Sequence, residues 1–197
     1  MIKNKRELKF YILADRIINT GKVKKPLKLF YPEYILRWLV LLRKCEYYSR
    51  HNPIIYNYYF SKFCRLSLRL GFSVAFNVFG YGLMIPHYGT IVVGGGNKIG
   101  NYAVLHTSTC ITAGKKKIGN GFYVSTGAKI IKDITCGDGV TVAANSVLRN
   151  NVEKDNVLLA GNPAEIIKDS QIWWERDGEK YLKRVEMIEE LKISMKI

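Results

Sequence analysis

From Phe79 onward an apolar or small residue returns every six positions, a period that neither a helix nor an ordinary strand produces. The first positions are Phe79, Ile85 and Ile91, then, after a two-residue slip, Ile99, Leu105 and Ile111. After a one-residue slip the series continues through Ile118, Val124, Ile130, Cys136, Val142 and Leu148. This beat predicts a β-solenoid in which each hexad is one short strand plus a corner and three hexads close a triangular coil. The series predicts four coils. Fourteen of the 17 glycines fall between Gly80 and Gly161, and glycine recurs at the second hexad position (Gly80, Gly100, Gly119, Gly137), as a tight corner requires. The slips fall near Asn97-Lys98 and at Lys115-Lys116-Lys117; insertions in repeat proteins map to loops at one edge, often the functional one.

Charge divides the chain. Residues 1–70 carry 16 Lys/Arg against four acids, while the coils and the C-terminal segment are close to balance. A basic N-terminal third suits an anionic membrane surface or an acidic or lipid-linked substrate, or simply a solvated face. No nucleic-acid motif accompanies it, so nucleic acid is not an expected partner. The N-terminus lacks the apolar core and small-residue cleavage site of a signal peptide, which predicts a cytoplasmic protein, peripheral at most to the inner face of the membrane. Its four cysteines show neither a CxxC pair nor zinc-ligand spacing and are expected to be reduced and structural. No metal is expected. Gly94-Gly95-Gly96 is not a nucleotide loop, because Gly100 is followed by Asn101-Tyr102 and not by Lys-Ser/Thr.

Three regions emerge: 1–70, basic and helical; 71–168, the solenoid; and 169–197, a C-terminal helix. Helical spacing runs through Glu7 to Asn19, Pro32 to Arg50 and Ile55 to Leu70, punctuated by Pro26, Pro32 and Pro53. Tyr34 to Lys44 reads as a core helix, too short to span a bilayer. In the last region Trp174, Tyr181, Val185, Ile188 and Leu191 share a face, which predicts a helix that closes the solenoid or packs on a neighbouring subunit.

The segment Phe79-Gly80-Tyr81-Gly82-Leu83-Met84-Ile85-Pro86-His87-Tyr88-Gly89-Thr90-Ile91 resembles the active-site coil of hexapeptide acyltransferases. It is similar to that of serine acetyltransferase-like enzymes, including those of capsule and exopolysaccharide pathways. Ser125-Thr126-Gly127-Ala128-Lys129-Ile130, Val142 to Val147 and Ala160-Gly161-Asn162-Pro163-Ala164 resemble the acetyl-CoA-binding half, and the likeness covers about residues 70–168. It implies a left-handed parallel β-helix, a homotrimer with active sites between subunits, and acetyl-CoA as co-substrate.

Acyl transfer to an alcohol needs a base for the hydroxyl proton and donors for the oxyanion. His87 matches the family's catalytic histidine and is the expected base. His106, one coil on, and Tyr88 are expected to contact the acyl group or acceptor. The acid that precedes the family histidine is replaced by Pro86, and no acid lies between Glu46 and Asp133. Asn77 or a backbone carbonyl is then expected to orient the imidazole. Gly114, Ala128, Ala144, Ala160 and Gly161 match the track of the pantetheine and adenine, with Lys168 or Lys129 as the nucleotide phosphate contact; Lys115, Lys116 and Lys117 read equally as contacts to CoA phosphates or an acidic glycan and as a solvated charge run. The arginine–histidine loop that holds serine in the family is replaced by Ala113-Gly114-Lys115-Lys116-Lys117. These departures predict an acetyl-CoA-dependent O-acetyltransferase acting on a sugar hydroxyl of a cell-surface polysaccharide. Serine O-acetylation for cysteine synthesis is the alternative, and a structural scaffold the non-enzyme alternative. A zinc site on this solenoid would need three histidines, and His51 lies outside the coils.

Overall fold

A computed structural model of the protein describes residues 2–24 and 34–197; Pro26 and Pro32 lie outside the described residues. Three helices come first: α1 (Lys5–Thr20), α2 (Tyr34–His51) and α3 (Pro53–Leu70). Local chemistry sets their ends. Asn4 caps α1 by accepting the Glu7 N–H, and Gly21 ends it in the left-handed region. Asn52 caps α3, Pro53 occupies its first turn where no N–H is needed, and Gly71 ends it.

Thirteen strands come next: β1 (Phe72–Val74), β2 (Ile91–Val93), β3 (Lys98–Ile99), β4 (Val104–Leu105), β5 (Thr109–Ile111), β6 (Lys117–Ile118) and β7 (Tyr123–Val124). The series continues with β8 (Lys129–Ile130), β9 (Thr135–Cys136), β10 (Thr141–Val142), β11 (Val147–Leu148), β12 (Val157–Gly161) and β13 (Ala164–Asp169). They form three parallel faces. The first face is β1-β2-β5-β8-β11, the second β3-β6-β9, and the third β4-β7-β10-β12, with β13 turned back antiparallel on β12. Helices α4 (Trp173–Arg176) and α5 (Glu179–Ser194) end the chain.

The solenoid has five coils, not the four counted from the hexads. The three uncounted faces are β1 at the start, whose Phe72 pairs with Ile91 one coil on, and Val152 and β12 at the end, which stack on Cys136 and β10. The six-residue count begins only at Phe79 because the corner 75–78 carries one extra residue and breaks the register. The hexad positions from Phe79 to Leu148 point inward and are all buried, forming one continuous core with Trp38, Leu42 and Phe63 of the helices. Each such side chain contributes about 1.5–3 kcal/mol relative to exposure.

The recurring glycines have a different cause from the one expected. Gly80, Gly100, Gly119 and Gly137 do not adopt positive φ; a Cβ on Gly119 would lie 2.6 Å from the Gly137 carbonyl oxygen and 2.2 Å from Asp138. Close approach of successive coils, not corner strain, excludes a side chain there. Beside them runs a ladder in which each backbone N–H meets the amide or carboxylate one coil on: Tyr81 to Asn101, Asn101 to Asn120, Asn120 to Asp138, Asp138 to Asp155.

The C-terminal helix does not close the end of the solenoid. It runs back along the third face to α1, burying Trp173, Val185 and Ile188 with Phe10, Ile17, Tyr81, Met84 and Tyr102. Glu189 accepts from Tyr81 at 2.8 Å and also from Tyr102, which fixes α5 on the first two coils. The Tyr34–Lys44 stretch is a core helix as read, burying Trp38, Leu39 and Leu42. Arg43, however, is wholly buried: it donates to Asp15 at 2.7 Å and Glu46 at 3.0 Å and to the Phe79 carbonyl at 3.1 Å. Burial opposes charge on Arg43, but the two carboxylates more than offset it and raise its pKa. All four cysteines are free thiols, and burial pushes those of Cys45 and Cys136 up to about 12.

Candidate active site

Parallel stacking aligns the corners of successive coils into three edges. The edge between the third and first faces begins at Pro86-His87-Tyr88-Gly89, between Met84 and β2. Below it lie His106-Thr107-Ser108, then Ser125 to Ala128, then Ala143 to Ser146. The β12–β13 turn closes the column, with the Gly161 N–H donating to Ser146 Oγ at 3.0 Å. His87, Tyr88, His106, Lys129, Ala144, Ala160 and Gly161 therefore share one edge. His87, Tyr88, Ala144 and Gly161 are exposed, and His106, Lys129 and Ala160 half-buried.

His106 hydrogen-bonds through Nε2 to the Tyr123 hydroxyl at 2.7 Å. Burial lowers the His106 pKa, and the neighbouring His87 imidazole lowers it further. Burial raises the Tyr123 pKa, so the phenol keeps its proton and the site holds a neutral imidazole paired with a neutral phenol. Tyr123 is not among the residues that the motifs single out. The available signal is alternation: Tyr123 before the inward Val124 and His106 after the inward Leu105 both face outward on adjacent strands of the third face, Tyr123 level with Val104 and diagonal to His106. A cleft of about 540 Å³ opens on the helix side of this segment, lined by Pro86 and Tyr88 but not by His87, His106 or Tyr123, together with Asn19, Tyr34, Tyr181 and Arg184.

Not every expected residue joins this edge. Asn77 lies between the first and second faces; its N–H donates to Glu46 and its carbonyl accepts from Lys98. Within one chain it cannot orient His87. Gly114 and Lys117 sit on that same distant edge, which also holds both slips, so the insertions do not mark the histidine edge. Ala128 is wholly buried, its carbonyl accepting from Cys110 and its N–H donating to Ser125, which leaves it nothing to offer a cofactor. Lys129 donates to the Ser108 and Gly127 carbonyls at 2.6 and 2.8 Å. Lys168 is exposed on β13, opposite Leu158. Lys116, read with its neighbours as a phosphate contact or solvated charge, is buried and donates to Thr112 at 2.9 Å. Among the described residues no group of three His, Cys, Asp or Glu side chains is placed to hold a metal ion.

No family model matches the chain. A serine acetyltransferase of Buchnera aphidicola is 33% identical over 96 residues, 45% of this chain and 35% of that protein. The bifunctional protein GlmU of Bifidobacterium adolescentis is 28% identical over 106 residues, 49% of this chain and 22% of that protein. The chain thus spans about a third or less of the curated relatives it matches. Among solved structures, serine acetyltransferase from Brucella abortus aligns with a TM-score of 0.63 at 23% identity, covering 85% of this chain and 69% of that one. A serine acetyltransferase in complex with CoA aligns at 0.59 and 22%, covering 83% and 71%. Soybean serine acetyltransferase complexed with serine aligns at 0.58 and 20%, covering 83% and 84%.

The chain has the serine acetyltransferase fold. The solenoid is accordingly the left-handed parallel β-helix that the resemblance implied, opposite in hand to the usual crossover. The resemblance to hexapeptide-repeat acyltransferases is borne out.

Proposed function

We propose that the protein transfers an acetyl group from acetyl-CoA to a hydroxyl of a small acceptor, with His87 as general base. The observation that carries this reading is His87 at the head of an edge that descends through Ala144 to Gly161. An imidazole at the top of a groove floored by small residues can meet a thioester whose pantetheine lies along that groove. In the His106–Tyr123 pair, one coil below, the tautomer with the proton on Nε2 donates to the phenol oxygen and leaves the Tyr123 hydroxyl proton to donate toward the acyl oxygen or acceptor. A scaffold would have no use for this arrangement.

Serine is the acceptor favoured by the relatives, over the sugar expected from the sequence. A sugar is the second reading, supported by the cleft lined by Pro86 and Tyr88, the neighbours of His87 in the chain. Tyr34, Tyr88 and Tyr181 offer aromatic surface for a ring, and with Pro86 in place of an acid there is no carboxylate at that position to pair with an ammonium. Thiol release from acetyl-CoA, measured with L-serine and with free sugars, separates the two. Loss of turnover in His87→Ala supports the base; undiminished turnover removes it.

The division of candidates between two edges supports a homotrimer. The first face, with Val92 37% exposed and Cys110 and Val147 half-buried, lies between those edges. A second copy seated there brings its Gly114 and Lys117 toward the His87 edge of its neighbour. A sedimentation mass of one chain would overturn this.

We also propose peripheral docking on an anionic membrane surface. Asp15 and Glu46 are consumed by buried Arg43, so the helical layer presents its positive charge with little offset. The outward side of α3 combines Ile54 and Leu68, 82% and 84% exposed, with exposed Tyr58, Lys62, Arg65 and Arg69. No helix among the described residues is long and apolar enough to cross a membrane.

A further inference from the structure

The first coil has no coil before it, so its third-face strand is paired on one side only. The Met84 N–H donates to Ala103 and its carbonyl accepts from Leu105, both on the second coil. The polar groups of Leu83 and Ile85 point the other way, where no strand exists. Helix α1 meets them. Asp15 Oδ1 accepts the Leu83 N–H at 2.9 Å, Asn19 Nδ2 donates to the Leu83 carbonyl at 2.9 Å, and Asn19 Oδ1 accepts the Ile85 N–H at 3.1 Å.

The fit has a geometric cause. Residues four apart on a helix rise about 6 Å, and residues two apart on a strand about 6.6 Å. Asp15 and Asn19 therefore match the repeat of Leu83 and Ile85, and the helix side chains replace the absent strand. Asp15 is itself held by Arg43, so the clamp is referenced to the buried core of the helical layer.

After Ile85 the chain enters Pro86, which has no N–H to anchor, and then His87. The next backbone anchor is Gly89, whose N–H donates to the Leu70 carbonyl at 2.9 Å. The segment bearing His87 is thus suspended between two points, Asn19 at Ile85 and Leu70 at Gly89. We propose that Asn19 is a positioning residue for His87: its amide clamps residues 83 and 85 and so sets where the imidazole projects over the edge. This rests on the reading of His87 as the base. It assigns part of the helical region a role in the reaction, which the charge of that region did not suggest.

The experiment compares wild type, Asn19→Ala, His87→Ala and Asn4→Ala, the last weakening the same helix at its far end, where Asn4 caps the Glu7 N–H. Two quantities are read: amide hydrogen exchange of the peptide spanning 83–90, and kcat and KM for thiol release from acetyl-CoA with the acceptor that is turned over. In Asn19→Ala, exchange of that peptide rises and kcat falls about 10- to 100-fold at unchanged KM for acetyl-CoA, the order of loss for a misplaced catalytic group. In Asn4→Ala both stay at wild-type values. Unchanged exchange in Asn19→Ala overturns the clamp, and so does an equal loss of kcat in the two helix variants at equal melting temperature. Full turnover in His87→Ala fails the base and with it the catalytic role of Asn19. Raised exchange in Asn19→Ala would then still show the clamp, so the two failures are told apart.

Discussion

The Nε2 of His106 lies 2.7 Å from the phenolic oxygen of Tyr123, one coil below His87 on the same edge. Burial and the His87 imidazole both depress the His106 pKa below its ordinary value of about 6.5. An NMR titration of His106 is expected to show this, and His87→Ala to move the value upward while burial still holds it low. No movement would mean that the rings are not coupled. Because the folded pKa is depressed, the stability contributed by neutral His106 is present above about pH 6.5 and lost as pH falls through its folded value. His106→Gln should therefore flatten the loss of melting temperature on mild acidification.

Arg43→Met leaves Asp15 and Glu46 buried without a countercharge. Removing one partner of such a group costs about 3–5 kcal/mol. The deficit should shrink as pH falls toward 5, because burial pushes the Asp15 carboxyl up and a protonated acid needs no countercharge. Chemical denaturation at pH 5 and pH 7.5 checks both statements, and an equal deficit at the two values would refute the second.

Gly119→Ala places a methyl group against the Gly137 backbone and the Asp138 carboxylate. Overpacking of this kind costs about 1–3 kcal/mol. Urea unfolding should register it, and a neutral result would show that the coils separate more easily than their stacking indicates.

The cofactor track is tested at Ala144, which is exposed, so a bulky residue there need not disturb the core. Ala144→Phe should raise the KM for acetyl-CoA at least about tenfold with the melting temperature unchanged, the block acting on binding and not on chemistry. A wild-type KM would move the track to another edge.

Docking on membranes predicts that the protein sediments with vesicles containing phosphatidylserine and not with neutral ones, and that binding weakens with salt. Leu68→Ser and Arg65→Glu together should release it. Binding unaffected by those changes would place the contact elsewhere, and a loss of oligomer mass in the variant would make α3 a contact between copies.

Much of the fold is legible in the amino-acid order. A six-residue period is a local property: each inward residue is buried by its own turn of backbone, so Ile118, Val124 and Ile130 declare their environment one at a time. His87 is legible for a related reason, since the Gly-Leu-Met-Ile-Pro-His run identifies its coil. The first face of the first coil and the last two faces of the fifth escape the count, because Phe72 stands seven residues before Phe79 and the beat stops at Leu148.

Other features depend on distance along the chain. Asn77, on the same coil as His87, and Gly114, two coils on, part from it because both sit in corners between the first and second faces, whereas His87 sits between the third and the first. Arg43 resembles one more surface charge, because its partners Asp15 and Phe79 are 28 and 36 residues away. Asn19 carries no motif; it matters because helix rise and strand rise nearly agree, and because that helix lies where the first coil lacks a neighbour. Residue order is enough to specify a solenoid with an acyltransferase-like coil. Which side chains share an edge is a tertiary matter, since it depends on contacts about 20 residues or more apart and on helices laid across the open end.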